Sequence, residues 1–434
     1  MPGHTGGRTA TRDYHRLRNT ANRSTGATPI TLESEQFVTL SPWIQDNRMG
    51  LREFPVEERI NFRKAWVLPK NKGDGATRRM PSEPKQSNTT SRDEHSEETN
   101  GKARIADRFV GALLGSAIGD ALAFPYRHYS HAFLTSLFQS LGDEFGQHHS
   151  GHYPVGQYSD DTQVALAIGE AILASKRDDD QSSQLDAGHF FRYILPLWRD
   201  QVLSQPDPSC AEAMNRVLAS ERLWIPQPHG EGRAEVAPVG RVLCAALYCH
   251  DDAERRRELV ESLVQLTHSD PRPLACAAAF AAAIAHNLNT RELILGPFLD
   301  DVAQAAGSFD PRIETVILDF PRILSMTQYR CLRRIGSLCP DPKYPASEEG
   351  ATVYCVPALL LALYYFLKNP YDYSAAILNG LRIGGEHGTT VFLLGGLSGA
   401  LVGQDGLPAP LKEAVLASEA IERLGKNLYR QWQA

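Results

Sequence analysis

From Ile105 to the C-terminus, apolar residues recur at three- and four-residue spacing, the period of helices that bury one face. No stretch alternates apolar and polar positions in the way a half-buried strand requires. The pattern predicts an all-α fold, a compact multi-helix bundle over residues 105–434. Two segments carry a further signal. "RIADRFVGALLGSAIGDALAF" (104–124) places Gly111, Gly115 and Gly119 four apart, and "FLLGGLSGALVG" (392–403) repeats the device with Gly395, Gly399 and Gly403. Glycine inside a helix costs roughly 1 kcal/mol relative to alanine. Three in register therefore predict two helices, carrying Gly115 and Gly399, whose backbones approach closely beside the functional site. Asp107, Arg108 and Asp120 interrupt the first segment and argue against a membrane span. The runs "LACAAAFAAAIA" (274–285) and "VPALLLALYYFL" (356–367) are too short for one.

The pattern fades before residue 105. Residues 1–104 form an N-terminal extension. Within it, "NKGDGATRRMPSEPKQSNTTSRDEHSEETNGKAR" (71–104) has almost nothing to bury and reads as a disordered linker. Limited proteolysis is expected to cut there and leave a stable fragment beginning near Ile105. Residues 37–69 contain some apolar side chains but too few for a core of their own. The opening stretch "MPGHTGGRTATRDYHRLRNTANR" has no apolar segment of signal-peptide length.

Composition narrows the classes. The 434 residues are 42% hydrophobic and 22% charged, with a formal net charge of −6. That mildly acidic balance gives no general attraction for nucleic acid or an anionic membrane. The seven cysteines are odd in number, contain no C-x-x-C pair and fall mostly in apolar helical patterns, which predicts reduced thiols in a cytoplasmic protein.

The candidate chemistry begins with "GQYSDDTQ" (156–163), where Asp160 and Asp161 stand side by side ahead of an apolar run. One reading is helix capping, with Asp160 as N-cap and Gln163 three residues on, since carboxylates favour the positive helix end. The other is a hard-cation site: Ser159, Asp160, Asp161 and Thr162 offer only oxygen, which suits Mg²⁺ or Mn²⁺.

Several blocks, in order over some three hundred residues, resemble the ADP-ribosylglycohydrolase family. They are "GALLGSAIGDALAFP" (111–125), "YSDDTQ" (158–163), "VAPVG" (236–240), "THSDP" (267–271) and "GGEHGTTVFLLGGLSGALVG" (384–403). The resemblance implies an all-α fold with two magnesium ions held between helices. It implies metal ligands at Ser159, Asp160, Asp161, Glu386 and Thr389, and a catalytic carboxylate among Asp160, Asp161 and Glu386. It places Asp120, Gly230, Gly232 and His268 on the substrate, Gly230 and Gly232 through backbone N–H groups. His268 reads equally well as a satisfied core group. The implied reaction is metal-assisted hydrolysis of the glycosidic bond that joins ADP-ribose to a protein or a small acceptor. A relative that binds ADP-ribose or a nucleotide without turnover is the alternative, and a purely structural protein a third.

The chain also departs from the family pattern. Where the family has Asp-Thr-Asp-Thr, this sequence has Glu386, His387, Gly388 and Thr389, so the second aspartate ligand is lost. Two ions need carboxylates to offset their mutual repulsion, so one Mg²⁺ or Mn²⁺ is expected rather than two. His387 has three open readings: ligand to a softer ion, base, or solvent-facing side chain. After Gly-Asp-Ala, where the family often has glycine, then a proline and a glutamate, this chain has Ala123, Pro125 and Arg127, and the loop 229–240 lacks the usual Met-Arg.

Overall fold

The computed structural model describes residues 93–175, 185–200, 202–220, 233–345 and 350–434. These residues are helical almost throughout. The only β pairing among them is three isolated bridges, Glu235 with Tyr354, Asp341 with Tyr344 and Ala351 with Gly385. The all-α expectation holds. The aspartates of the sequence explain where many helices begin. Asp186, Asp252 and Asp372 each accept a hydrogen bond from the N–H three residues on. Asp270 and Asp310 cap helices that open with proline. A side-chain oxygen satisfies a backbone donor that has no helical partner, and proline at the first position gives up none.

The first helix, Asp93–Ala123, starts earlier than the sequence pattern indicated. Residues 93–104, assigned to the linker by their lack of apolar side chains, continue it instead. Glu94, Glu97, Glu98, Lys102, Ala103 and Arg104 are good helix formers, and the buried stretch that follows supplies a nucleus from which a helix propagates. The rest of the linker, 71–92, lies outside the described residues, as does the segment before it.

The two glycine ridges meet. The helices Asp93–Ala123 and Gly388–Val402 run antiparallel, with Gly111 opposite Gly399, Gly115 opposite Gly395 and Gly119 opposite Val391. A methyl group added at Gly111 would lie 2.5 Å from the Gly399 carbonyl oxygen, and one at Gly119 would lie 2.6 Å from that of Val391. Only bare backbone fits. Behind this pair runs the Pro271–Asn289 helix, whose alanines from Ala275 to Ala285 are all buried. Asn287 donates to the Leu397 carbonyl at 2.9 Å, and the buried Arg108 donates to the carbonyls of Asn287 and Thr290 at 2.6 and 2.5 Å, a cation at a helix C-terminus. The segment Gly101–Tyr126 is long and apolar enough to cross a membrane by length and composition, yet 94% of its most apolar eighteen-residue window is buried within the bundle. All seven cysteines are free thiols.

The packing has a consequence for the site. It sets the C-terminal end of one glycine helix, with Asp120, beside the N-terminal end of the other, with Gly388 and Thr389.

Candidate functional site

The Asp160–Ala174 helix delivers the paired carboxylates. Its N-cap is Ser159, one residue before the position the capping pattern suggested: the Ser159 hydroxyl accepts from the Asp161 N–H at 3.3 Å. Gln163 does not reach back to the cap. Its amide instead accepts from Ser204 N–H at 2.8 Å and donates to Val202 O at 3.2 Å, fastening the 202–207 loop against the helix start. With the cap assigned to Ser159, Asp160 and Asp161 occupy the first turn, both buried at 8% exposure.

Behind them lies Asp120, fully buried. Its Oδ2 accepts from the Ser159 N–H and hydroxyl at 3.0 Å each and from the Thr162 hydroxyl at 2.6 Å and N–H at 3.3 Å. Asp120, assigned to substrate by resemblance, is therefore placed as an anchor for the carboxylate motif and does not line the cleft. From the opposite side, Thr389 donates to Asp161 Oδ2 at 2.7 Å, joining the two sequence blocks across 228 residues.

The wall opposite is built from short extended segments. Gly384 and Gly385 have φ of +78° and +68°, and any side chain at Gly384 would strike the backbone of Ser130 and His131. Their turn is clasped on both sides: Gly385 N–H donates to Tyr129 O, His128 N–H to Gly385 O, and Glu386 N–H to Ala351 O, at 2.8 to 3.0 Å. Glycine is required here by backbone conformation and by close approach together. The clasp orients Glu386, both of whose oxygens are engaged. Arg127 Nη2 donates to Oε2 at 3.0 Å, and His128 Nδ1 lies 2.6 Å from Oε1. Arg127 Nη1 also donates to Gln205 Oε1 at 3.2 Å.

These groups enclose a cleft of about 380 Å³, open mouth included, lined by Arg127, Asp160, Asp161, Asp207, Glu386 and Thr389, with an apolar side of Val236, Ala237 and Val353. Burial, and then the neighbouring charges of Asp161 and Asp207, push the Asp160 carboxyl well above the usual range. Burial and the Asp120 charge push Asp161 up to about 7, although the Thr389 hydroxyl and Arg127 oppose the shift. Burial also pulls the Arg127 guanidinium down. Glu386, by charge and hydrogen bond, followed by Asp160 and Asp161, raises it on balance.

The donor chemistry fits one hard divalent cation. Asp160, Asp161 and Thr389 line the cleft from two helix starts and offer only oxygen, whereas Ser159, expected as a ligand, donates its hydroxyl to Asp120 and is not among the lining residues. A hydroxyl that donates its proton to a carboxylate, as Thr389 does to Asp161, keeps lone pairs for a metal. A second ion does not fit equally well, because Gly388 has no side chain and both oxygens of Glu386 are already engaged, by Arg127 and by His128.

Other expected residues lie elsewhere. His387 does not face solvent: it is fully buried as the residue preceding the Gly388–Val402 helix. Its Nδ1 bonds Gly385 O at 3.0 Å, which assigns the proton to Nδ1, and burial lowers its pKa to about 4, so the ring is neutral at pH 7. It is not among the residues that line the cleft. The His268 side chain is also completely buried, between Thr267 Oγ1 at 2.7 Å and Glu235 Oε2 at 3.2 Å, and the satisfied-core reading describes it. Gly230 and Gly232 lie outside the described residues. Sequence reasoning noted Arg127 only as a departure and passed over His128, Gln205, Asp207 and Val353. Each of the last four is a loop residue brought in by tertiary contact.

A model of the ADP-ribosylglycohydrolase family matches residues 101–434. Human ADP-ribosylhydrolase ARH3 is 23% identical over 366 residues, covering 77% of this chain and 96% of that protein. The ADP-ribosyl-[dinitrogen reductase] glycohydrolase of Rhodospirillum rubrum is 24% identical over 70% of this chain and 89% of its own length. ADP-ribosylarginine hydrolase Tri1 of Pseudomonas putida is 23% identical over 74% and 78%. A solved structure described as an ADP-ribosylglycohydrolase-related protein complex superposes with a TM-score of 0.54 at 22% identity, over 76% of this chain and 99% of its own, a likeness of fold.

Proposed function

This chain belongs to the ADP-ribosylglycohydrolase family, and on that premise we propose that it hydrolyses the glycosidic bond between ADP-ribose and a modified protein or small acceptor, assisted by one divalent cation. The observation that carries the reading is the meeting of Asp160 and Asp161 with Thr389 in a single cleft, from helix starts far apart in sequence. Relatives named for ADP-ribosylarginine and for ADP-ribosyl-dinitrogen reductase support an ADP-ribosylated protein as the class of partner.

When bound, a Mg²⁺ or Mn²⁺ ion would supply Lewis-acid charge for polarising and orienting oxygens of the substrate. Asp160, Asp161 and Thr389 would hold it. The remaining work falls to the chain. A carboxylate of the Asp160–Asp161 pair accepts a proton from the attacking water. The negative charge of the pair, whose helix start is held by the Asp120 hydrogen bonds to the flanking Ser159 and Thr162, stabilises the oxocarbenium character that develops at the anomeric carbon. Val236, Ala237 and Val353 give the sugar an apolar wall.

The test is release of free ADP-ribose from mono-ADP-ribosylated proteins by pure protein with Mn²⁺ or Mg²⁺ and with chelator. Release is expected with metal, with a fall of about 10²–10⁴-fold in an Asp161→Asn variant. A second reading, retention of ADP-ribose without turnover, draws on one observation: Arg127 and His128 occupy both oxygens of Glu386. In that case ADP-ribose at a hundred times its Kd would still stabilise the protein by about 2.7 kcal/mol, with no product formed.

A further inference from the structure

We infer that Arg127 is a resident cation that has taken the place of a second metal ion, so that the site works as one divalent ion plus a guanidinium. The inference rests on the reading that a divalent cation sits between Asp160 and Asp161. It goes beyond that reading by assigning a role to a residue outside the ligand set.

Three observations carry it. The guanidinium lines the same cleft as Asp160, Asp161 and Glu386 and bonds directly to Glu386 at 3.0 Å. Its position is fixed on both sides, by Glu386 and by Gln205. The adjacent His128 and the Gln205 partner hold φ of +71° and +57°, left-handed conformations that non-glycine residues adopt at a cost. Backbone strain on both sides of one side chain is the mark of a position the fold enforces.

The third observation links the arginine to the missing ligand. A Cβ built on Gly388 would have the Arg127 Cδ, Cγ and Nε as its nearest neighbours, at 3.8 to 4.0 Å. A side chain at 388 would thus stand in van der Waals contact with the arginine stem. Gly388 and Arg127 are therefore neighbours in one cleft, a position without a side chain beside a permanent monocation. A guanidinium suits this use because it stays charged and presents planar donors to oxygen. Lining the same cleft as Asp160 and Asp161, it opposes a second divalent ion by like charge and weakens the first.

Isothermal titration of the metal-free full chain with Mn²⁺ alone, with Mn²⁺ electron paramagnetic resonance as a second readout, tests the proposal without any assay of turnover. Wild type is expected to bind one ion per chain. Arg127→Gln should tighten that ion by at least about tenfold by removing a like charge, while Arg127→Lys should stay within about threefold of wild type because it keeps the charge. Arg127→Glu combined with Glu386→Asp and Gly388→Asp should bind two ions and show the spin coupling of a close Mn²⁺ pair. Two ions in wild type, or equal affinities in the Gln and Lys variants, would overturn the proposal. If Arg127→Gln does not fold, Arg127→Met supplies the neutral side chain, and its affinity must exceed that of Arg127→Lys by the same margin. Absence of Mn²⁺ binding in every protein, the triple variant included, overturns both this inference and the metal-assisted reading. Single-ion binding with the expected Gln and Lys behaviour but no ADP-ribose release overturns the hydrolase reading alone.

Discussion

Replacing Asp160 and Asp161 together by asparagine is expected to stabilise the metal-free protein at pH 7 by about 2–4 kcal/mol while abolishing divalent-cation binding. The two carboxylates are buried side by side at one helix start, and only part of their charge is compensated. Burial leads the upward shift of both, with Asp161 reaching about 7. The sign follows from where the proton sits. Below the unfolded-state value near 3.8 both states hold the proton, and the full stability is present. As pH rises from there toward 7, the unfolded chain releases the proton while the folded chain retains it. Stability is therefore lost across that window and levels off above it.

Urea denaturation in chelator should show wild type losing about 2–3 kcal/mol between pH 5 and pH 8 relative to the double variant. Added Mn²⁺ should stabilise wild type and leave the variant unmoved. A variant no more stable than wild type at pH 8 would mean that the pair carries no excess charge, and the case for a cation there would weaken with it. The trade is a common one at active sites: the charges that create function cost stability when the ligand is absent.

Gly399→Ala should destabilise the fold by about 2–4 kcal/mol, even though alanine favours a helix by roughly 1 kcal/mol. The added methyl would fall well inside contact distance of the Gly111 carbonyl oxygen, with Gly111 C at 2.6 Å and Ala112 Cα at 3.2 Å. All of these are atoms of a helical backbone, so no side chain can swing aside and the two helices must separate. For a domain of this size the expected fall in melting temperature is roughly 3–6 °C. Gly101→Ala is the control: it lies in the same first helix with nothing within 4 Å, and should be neutral or mildly stabilising. The effect should also reach the site, since Asp120 and Thr389 ride on the two helices forced apart. Weaker Mn²⁺ binding in Gly399→Ala at a temperature where it is fully folded would show that coupling.

What the sequence determined by itself is local and periodic. Apolar spacing gave the helical class, because burying one face of a helix imposes a three- and four-residue repeat wherever it occurs. The four-residue glycine ridges identified a backbone-to-backbone helix pair, since no other packing compensates for three glycines inside a helix. The order of short blocks pointed to the family, and with it to Asp160, Asp161 and Thr389 as partners across 228 residues. The helical extension back to Asp93 was less visible, because a polar helix anchored at one end leaves no apolar period to read.

What only the tertiary structure decided is how each polar group spends its hydrogen bonds. A lone "DD" cannot reveal that Ser159 is the cap, that Asp120 stands behind the pair, or that the Gln163 amide grips the 202–207 loop. "TH" and "EH" do not tell a buried imidazole from an exposed one, yet His268 and His387 are both buried among specific partners. Arg127 is the clearest case. In the sequence it was a mismatch thirty-three residues before the carboxylate pair. Its meaning comes from a Gly-Gly turn and a left-handed glutamine, far along the chain, that bring Glu386 and Gln205 to it. Charge compensation acts through space, and spacing along a chain does not encode it until the chain has folded.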